Sequence, residues 1–393
     1  MTREIVIGAG PAGLAVAAEL TRAGRNPIVL ERADSAGSSW LSRYDNLRLN
    51  TARWWSQLPG LPIPREYGTW VSARDYATYL ETYARHHELD IRFGVWAEKL
   101  TAGDHGWIVE TSAGRFPAET VVVATGYDRE AFVPFWPGRE RFRGSLLHSS
   151  AYRNAQPFAR QSVLVVGPGN SGTDIAVDLA RGGASQVWLS IRTPPQIVPR
   201  TVGPIPIQTV AVATRPLPAW AGDSIVRFVQ RAVHGDLRPY GLPPATEALS
   251  TQFARGDVVP VIDVSFVREL KRSRVNIVSA VAGFDATHVL LADGSRVAPE
   301  AVIAATGYRR GLEPLVGHLG VLDDRGRPFA GKLPGLHFGC YANPLSGNLR
   351  ELGIHARDIT KEILQPASLP QRRRQTVLFR VTRQPTANTN RDF

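Results

Sequence analysis

Two glycine-rich turns of identical spacing, each set between an apolar strand and a helix, constrain this chain more than any other feature. The first follows the predicted strand Glu4–Ile7, and the second follows Val163–Val166, about 160 residues further on. In such G-x-G-x-x-G turns the first glycine makes a tight turn, the second admits a pyrophosphate and the third lets helix and strand pack closely. Their repetition predicts an α/β fold with two dinucleotide-binding Rossmann-like domains. The glycines are Gly8, Gly10, Gly13, Gly167, Gly169 and Gly172.

The other residues of the two turns begin the helices that follow. A helix N-terminus offers free backbone N–H groups and a partial positive charge to phosphates. We therefore predict that these positions also contact the cofactors. They are Pro11 and Ala12 in the first turn, and Asn170 and Ser171 in the second.

The residues that end the second strand of each unit differ, and they indicate different cofactors. Glu31 and Arg32 end this strand in the first unit. A carboxylate there accepts hydrogen bonds from a ribose 2′-hydroxyl and repels a 2′-phosphate, which suits FAD or NAD. In the second unit Ser190 and Arg192 take this place, with no acid. A hydroxyl and a guanidinium suit the 2′-phosphate of NADPH; the alternative is that Arg192 is a solvated surface residue.

Two Ala-Thr-Gly segments repeat in the same way. Each ends an apolar strand, and each follows its own glycine turn along the chain. Small residues at the end of a strand allow a cofactor or a second chain segment to approach closely. We predict cofactor contacts at Thr125, Gly126, Thr306 and Gly307, and the alternative is an ordinary exit from a strand.

Composition excludes several classes of protein. Cys340 is the only cysteine, so an intramolecular disulfide, a C-x-x-C redox pair and a thiolate zinc site are excluded. Histidine spacing indicates no metal. About half of the net charge of +11 lies in residues 371–393, so we expect no nucleic-acid partner. No run of 18 apolar residues predicts a membrane span, and a strand beginning by Glu4 leaves no room for a signal peptide; we expect a cytoplasmic protein.

A segment between the two glycine turns carries a resemblance to a known family. Phe142–Tyr152 fits F-x-G-x-x-x-H-x-x-x-Y/F, the fingerprint of the flavin-containing monooxygenases, and the chain resembles them from about residue 3 to 365. The related Baeyer–Villiger monooxygenases have Trp at the last position, so Tyr152 and Arg153 favour the branch that oxygenates nitrogen and sulfur. Residues 237–263 are similar to plant YUCCA-type enzymes, which oxygenate 2-oxo acids with loss of carbon dioxide, whereas residues 335–347 are more similar to the bacterial branch.

The resemblance implies an activity and a catalytic residue. NADPH would reduce FAD, the flavin would form a 4a-hydroperoxide with dioxygen, and one oxygen atom would pass to a small organic substrate. The asparagine that contacts the flavin peroxide and the nicotinamide falls on Asn50, and Ser39 and Trp40 fall in the flavin-contacting G-x-x-W stretch. A neutral amide donates a hydrogen bond without releasing a proton readily. The alternative for Asn50 is the capping of a turn.

The same resemblance organises the domains. Residues 1–155 and 297–370 are assigned to an FAD-binding domain, and residues 156–296 to an NADPH-binding domain inserted into it. Residues 201–260 are proline-rich with two amphipathic stretches, which predicts a helical insertion that packs over another part of the molecule. Residues 371–393 are predicted to form a mobile basic tail.

Several alternatives stay open. The chain could be a Baeyer–Villiger monooxygenase, a reductase that passes electrons onward, or a non-catalytic dinucleotide-binding protein whose tail contacts anionic surfaces. Monomer and homodimer are both open. Aromatic residues near the predicted flavin site line either a substrate pocket or the core. His148 is expected to fix a turn, and Asp174 and Asp178 to form a helix face. The aromatic residues are Trp54, Trp55, Trp70 and Tyr341.

Overall fold

The computed structural model describes residues 4–214, 217–254, 259–329, 331, 333–339, 341 and 346–365. Cys340, the basic tail 371–393 and the end of the predicted first domain, 366–370, lie outside the described residues.

None of the helices in these ranges is long and apolar enough to cross a membrane. They are α1 (Pro11–Arg22), α2 (Ser38–Leu41), α3 (Arg53–Ser56), α4 (Ala73–His86), α5 (Asn170–Arg181), α6 (Ile207–Thr214), α7 (Ala219–His234), α8 (Leu249–Ala254), α9 (Phe266–Lys271), α10 (Glu313–Val316) and α11 (Asn348–Leu364). The strands are β1 (Glu4–Ile7), β2 (Ile28–Leu30), β3 (Asp90–Arg92), β4 (Ala97–Gly103), β5 (Gly106–Thr111), β6 (Gly114–Ala118), β7 (Thr120–Val123), β8 (Glu130–Ala131), β9 (Ser145–His148), β10 (Ser162–Val166), β11 (Gln186–Ser190), β12 (Ile197–Pro199), β13 (Thr201–Val202), β14 (Ile205–Pro206), β15 (Val261–Asp263), β16 (Asn276–Val278), β17 (Val281–Phe284), β18 (Val289–Leu291), β19 (Arg296–Val297), β20 (Ala301–Ala304), β21 (Tyr308–Arg309) and β22 (Leu336–Phe338).

The first glycine turn belongs to a five-stranded sheet in the order β22-β7-β1-β2-β3. All of its pairs are parallel, with Ile5 opposite Ile28 and Val6 opposite Val122. Helices α1, α4 and α11 cover one face, and the antiparallel sheet β4-β5-β6 with α10 covers the other. Because both faces are covered, β1 is buried along its whole length, which explains the apolar run Ile5–Ile7. Its first residue, Glu4, is paired with Arg25.

The second glycine turn belongs to a sheet of the same construction. Its five parallel strands run in the order β16-β11-β10-β20-β9, and Val163 lies opposite Val187 on one side and Ala301 on the other. Helices α5 and α9 cover one face, and the antiparallel sheet β17-β18-β19 covers the other. Two similar α/β units are therefore present in the described chain.

The strand pairing corrects the predicted boundaries between the two units. The prediction assigned residues 145–148 and 301–304 to the first domain. In the structure these segments are β9 and β20, and both hydrogen-bond within the second sheet. Strand β20 lies beside β10 as β7 lies beside β1, so each Ala-Thr-Gly segment follows the strand next to its own glycine turn. Pairing between segments that are distant along the chain decides this membership.

The predicted insertion packs over the first unit. Its amphipathic stretches fall on α7 and α8, as expected for residues near 224–233 and 246–253. In α6, the amide of Gln208 donates to the carbonyl of Ser346 at 2.6 Å. The indole of Trp55 donates to the Thr209 hydroxyl at 3.2 Å. These contacts hold the insertion against α3 and the start of α11.

Helix α4 anchors the irregular segment that precedes it. The helix begins after Ser72, where Asp75 N–H donates to the Ser72 hydroxyl at 3.1 Å, a spacing typical of a capping box. Three buried tyrosine hydroxyls on one face of α4 donate to carbonyls of residues 56–61. Burial raises the pKa of all three phenols, so they remain donors. The tyrosines are Tyr76, Tyr79 and Tyr83.

Replacing Tyr79 with phenylalanine is expected to destabilise the protein. The Tyr79 hydroxyl accepts from Leu58 N–H at 2.7 Å and donates to the Leu61 carbonyl at 2.8 Å. Its removal leaves a buried donor and acceptor unpaired, which costs on the order of 2 kcal/mol of unfolding free energy. Urea denaturation followed by circular dichroism measures the change. The matched control Tyr240→Phe removes an exposed phenol and should have no effect; equal stability of Tyr79→Phe and the parent protein would contradict the assignment.

Candidate active site

Backbone geometry and packing within the protein require glycine at the first and third positions of both turns. Gly8 and Gly167 have φ angles of +108° and +111°, which residues with a side chain rarely adopt. A Cβ on Gly13 or Gly172 would lie 1.9 Å from the carbonyl oxygen of the first glycine in the same turn. The helix that follows each turn is thus packed directly on the end of its strand, with its N-terminus at the carboxyl edge of the sheet.

Neither the backbone conformation nor the packing explains why the second position of each turn is also glycine. Gly10 and Gly169 are helix N-caps with ordinary φ angles of −80° and −72°. A Cβ built on either would have no heavy atom within 4 Å. A phosphate that approaches the helix N-terminus would account for glycine there. Both turns therefore fit a bound dinucleotide, and Pro11, Ala12 and Ser171 lie half-buried at the same positions.

Glu31 lies directly beside the first turn. Ala9 N–H donates to its Oε2 at 2.7 Å, and Ala33 N–H donates to its Oε1 at 2.9 Å. A carboxylate oriented in this way keeps lone pairs for further donors. Its position next to the phosphate-binding turn is the one from which it would accept the hydroxyls of a ribose.

The G-x-x-W stretch lies against the same turn. Gly37 N–H donates to the Ala9 carbonyl at 3.0 Å, and α2 begins immediately after it. Trp40 packs edge-on against Tyr76, with ring centroids 4.8 Å apart. Trp40 therefore connects the turn to the tyrosines of α4, whereas Ser39 is exposed.

An arginine that sequence reasoning missed lies near Glu31. Arg32 and Arg129 each place the guanidinium carbon 5.7 Å from the centroid of the Trp96 ring. Burial and the neighbouring Arg32 charge lower the pKa of Arg129. Its Nη1 is buried with no hydrogen-bond partner among the described residues. A buried donor without a partner in the described chain, close to Arg32, fits an anionic group of the first cofactor, and its position three residues after Gly126 was the available signal.

The structure separates the two residues predicted to hold a 2′-phosphate. Ser190 is 2% exposed, and its hydroxyl donates to the Ser279 carbonyl at 2.8 Å. It is still part of β11, so its side chain is enclosed within the unit, and the prediction for Ser190 is corrected. Arg192 and Thr193 lie beyond the end of the strand and are exposed. Thr193 was missed, although it offers a hydroxyl next to Arg192.

The side chain of Asn170 serves the protein rather than a cofactor. Its Nδ2 donates to the Pro260 carbonyl at 3.1 Å, and its Oδ1 accepts from Ile262 N–H at 2.8 Å. These bonds fix β15 beside the second glycine turn. The predicted role of Asn170 is thereby restricted to its backbone N–H in the first turn of α5.

The Ala-Thr-Gly loops connect the two units. The hydroxyls of Thr125 and Tyr341 lie 2.9 Å apart, and the Thr306 hydroxyl donates to the Phe132 carbonyl. Strands β8 and β21, which follow the two loops, pair with each other. The glycines of both loops have positive φ angles: Gly126 at +76° and Gly307 at +83°.

His148 fixes a turn, as its place in the fingerprint indicated. Its Nδ1 accepts from Ser150 N–H at 3.1 Å, so Nε2 carries the proton and donates to the Gly307 carbonyl at 3.0 Å. Burial lowers the pKa of His148, which favours this neutral form. The imidazole links β9 to the second Ala-Thr-Gly loop.

The predicted acidic face of α5 is the contact between the two units. The Tyr44 hydroxyl donates to Asp174 Oδ2 at 2.8 Å, and the Tyr152 hydroxyl donates to Asp178 Oδ2 at 2.6 Å. The Asn46 amide donates to Asp178 Oδ1 at 2.7 Å. Tyr152, the last residue of the fingerprint, therefore has a structural role. The spacing of Asp174 and Asp178, four residues apart on one helix, was the signal in the sequence for this contact.

Asn50 lies in a loop that is fixed on both sides. The Leu49 carbonyl accepts from the Arg200 guanidinium, and Leu49 N–H donates to the Val71 carbonyl at 2.8 Å. On the other side the hydroxyls of Thr51 and Ser56 lie 2.6 Å apart. Asn50 is half-buried, and its amide makes no hydrogen bond to a described residue. It is held in place and free to bind a ligand.

The aromatic residues considered for a substrate pocket divide between two cavities. Trp54 and Trp55 line a cavity of about 370 Å³ beside α11. Trp70 lines a second, of about 640 Å³, between the two units. Tyr341 pairs with Thr125 instead. Within the described ranges, no group of three His, Cys, Asp or Glu residues is arranged to hold a metal ion.

Comparison with known proteins identifies the family. The family model "Pyridine nucleotide-disulphide oxidoreductase" matches residues 5–202. Indole-3-pyruvate monooxygenase YUCCA1 of Oryza sativa subsp. japonica is 36% identical over 314 residues, covering 78% of this chain and 76% of that protein. Probable indole-3-pyruvate monooxygenase YUCCA3 of Arabidopsis thaliana is 31% identical over 93% of this chain and 84% of its own length. The chain belongs to the flavin-containing monooxygenase family.

Solved structures share the fold of this monooxygenase family member. A flavin-containing monooxygenase from Stenotrophomonas maltophilia has a TM-score of 0.70 at 23% identity, covering 92% of this chain and 98% of that chain. An ε-caprolactone-bound cyclohexanone monooxygenase has a TM-score of 0.69 at 18% identity, covering 92% and 88%. The prediction of a mixed α/β fold with parallel sheets is confirmed.

The Asp174 carboxyl predicts a pH dependence of stability. Burial is the main reason that its pKa rises to about 6. The folded protein therefore binds this proton more tightly than the unfolded chain, and stability decreases as the pH rises through the window from about 4 to 6. Relative to Asp174→Asn, the parent should lose about 1 kcal/mol of unfolding free energy between pH 5 and 7.5. Urea denaturation at both pH values measures it. The comparison variant Tyr44→Phe keeps the carboxyl but removes a hydrogen bond that lowers its pKa, so the dependence should persist and extend to higher pH. Parallel pH profiles for the parent and Asp174→Asn would contradict the prediction.

Proposed function

We propose that this chain is an NADPH- and oxygen-dependent flavin monooxygenase that transfers one oxygen atom to a small organic substrate. The observation that carries the proposal is the pair of glycine turns with open second glycines. The first turn is hydrogen-bonded to Glu31, and in the second unit the exposed Arg192 follows the end of β11. Family membership supports it. The first unit takes FAD and the second takes NADPH, so each unit is a dinucleotide-binding Rossmann-like domain.

The chain's residues would hold the flavin and shield its chemistry. The N-terminus of α1 would bind the pyrophosphate, Glu31 the ribose and Arg129 an anionic group. When bound, FAD would accept a hydride from NADPH and activate dioxygen. The tyrosines of α4 hold residues 56–61 in place, and Trp40 packs on Tyr76. Asn50 donates a hydrogen bond from its neutral amide near the reacting groups, without losing a proton itself.

The names of the relatives indicate which substrates to test first. YUCCA1 of Oryza sativa is named an indole-3-pyruvate monooxygenase, so aromatic 2-oxo acids are the first class. Amines and thioethers follow from the N/S-oxygenating fingerprint. Turnover of ketones to esters would indicate the Baeyer–Villiger alternative instead.

Rapid mixing of the NADPH-reduced protein with oxygen tests the proposal. We expect a flavin absorbance that differs from both the reduced and the oxidised forms and that decays faster when a substrate is present. Asn50→Ala should shorten its lifetime and release hydrogen peroxide at least about tenfold faster, because a hydrogen-bonded amide contributes about 1.5 kcal/mol or more in a dry site. Direct return to oxidised flavin in the parent protein would indicate a reductase and overturn the proposal.

Substitution of the second glycine of a turn is expected to weaken cofactor binding without changing the stability of the fold. Gly169→Ala meets neither a clash nor an unusual φ angle, so its unfolding free energy should stay within about 1 kcal/mol of the parent. NADPH binding should weaken about tenfold or more, since the methyl group occupies the phosphate site. FAD content, read from flavin absorbance, should be unchanged, whereas Gly10→Ala should lose FAD. In Gly172→Ala the Cβ would meet the Gly167 carbonyl, so this control should misfold; parental NADPH affinity in Gly169→Ala would contradict the site.

Arg192 predicts coenzyme specificity. A guanidinium bonded to a 2′-phosphate contributes about 1.5–3 kcal/mol, so Arg192→Ala should weaken NADPH about tenfold or more and leave NADH unchanged. Anaerobic flavin reduction at varied coenzyme concentration measures both. Arg143→Ala, which removes an exposed arginine at the opposite edge of the second sheet, is the matched control. Equal use of NADPH and NADH by the parent enzyme would refute the specificity.

A further inference from the structure

A cleft of about 640 Å³, whose lining includes no residue of either glycine turn, lies between Trp70 of the first unit and the insertion side of the second. Its lining carries four cationic side chains, one histidine and one carboxylate. Valines of α7 and α9 and of the segment between β15 and α9 add apolar walls. The cleft therefore combines positive charge with an apolar surface.

Arg200 is the central group of the cleft. Its guanidinium carbon lies 3.9 Å from the centroid of the Trp70 ring, so it is stacked on the indole. One Nη donates to the Leu49 carbonyl, which fixes the plane of the group. Its Nε is buried and has no hydrogen-bond partner among the described residues. A guanidinium that is oriented in this way, with a donor unused, is suited to an oxyanion.

His234 supplies a second unpartnered atom in the same cleft. The residue is 5% exposed, its Nδ1 lies 3.7 Å from Asp263 Oδ2, and its Nε2 is buried without a hydrogen-bond partner in the part of the chain that the structure describes. Buried polar atoms in folded proteins are nearly always paired. Two that are unpaired, on separate elements of one cleft, indicate a ligand that meets both. Lys271 is exposed at the rim and makes no ion pair within the described residues.

We propose that this cleft binds a small organic anion, a carboxylate on an apolar body. The carboxylate lies between Arg200, His234 and Lys271, and the apolar part packs on Trp70 and the valines. Asp263 favours a monoanion, since its own negative charge repels a phosphate dianion more strongly. The proposal is independent of oxygen transfer, because binding to the oxidised protein needs no turnover.

Isothermal titration of the oxidised, purified protein with phenylacetate tests the site. Two further probes distinguish the contribution of the carboxylate from that of the apolar body: 2-phenylethanol lacks the carboxylate, and acetate lacks the ring. Each should bind at least about tenfold more weakly than phenylacetate. In the presence of saturating NADP⁺, the affinity for phenylacetate should stay within about twofold of its value without NADP⁺. Equal binding of 2-phenylethanol or of inorganic phosphate, or competition by NADP⁺, would overturn the proposal.

Variants locate the site. Arg200→Gln should weaken phenylacetate about tenfold through loss of a charge-assisted hydrogen bond. Because Arg200 also holds Leu49, Lys271→Gln provides an independent measurement and should weaken it about threefold. The matched control Lys99→Gln removes an exposed lysine of β4 and should have no effect. Parental affinity in both Arg200→Gln and Lys271→Gln, or no binding of phenylacetate to the parent protein, would overturn the proposal.

Discussion

The contact between the first and third glycines of each turn is the constraint on which the rest of the structure depends. The backbone of Gly13 lies against the Gly8 carbonyl, and that of Gly172 against the Gly167 carbonyl, at distances that leave no room for a methyl group. This contact sets a helix directly on the end of a buried strand. Its N-terminus, with free N–H groups, then faces the carboxyl edge of the sheet. The cofactor contacts proposed for the open second glycines, Glu31 and Arg192 depend on the position of that edge.

A second set of interactions joins the two units. Acidic residues of α5 accept hydrogen bonds from Tyr44, Asn46 and Tyr152, and β8 pairs with β21 between the two Ala-Thr-Gly loops. These contacts bind the segment before Asn50 to the helix of the second glycine turn. The proposed transfer of a hydride between two cofactors would need such a fixed arrangement, since it requires close contact of the reacting groups.

The loop of Asn50 depends on residues from several parts of the chain. Arg200 of the second unit binds the carbonyl of Leu49, and stacks on Trp70 of the first unit. The same arginine lines the anionic-ligand cleft. The candidate catalytic amide of Asn50 and the proposed anion-binding cleft are thus connected through the backbone carbonyl of Leu49.

The sequence by itself determined the local elements of this protein. The apolar run of β1, the glycine spacing of both turns and the Ser72 cap depend on residues close together in the chain, so their patterns are sufficient. Tertiary structure decided the membership of β9 and β20, which pair with strands far away in sequence. It also decided that Ser190 bonds to Ser279 and Asn170 to Pro260 and Ile262. In the same way it decided that Arg200 and Arg129 have buried donors with no partner among the residues that the structure describes. The physical reason is that burial and hydrogen-bond partners are properties of packing between distant segments, which no local pattern encodes.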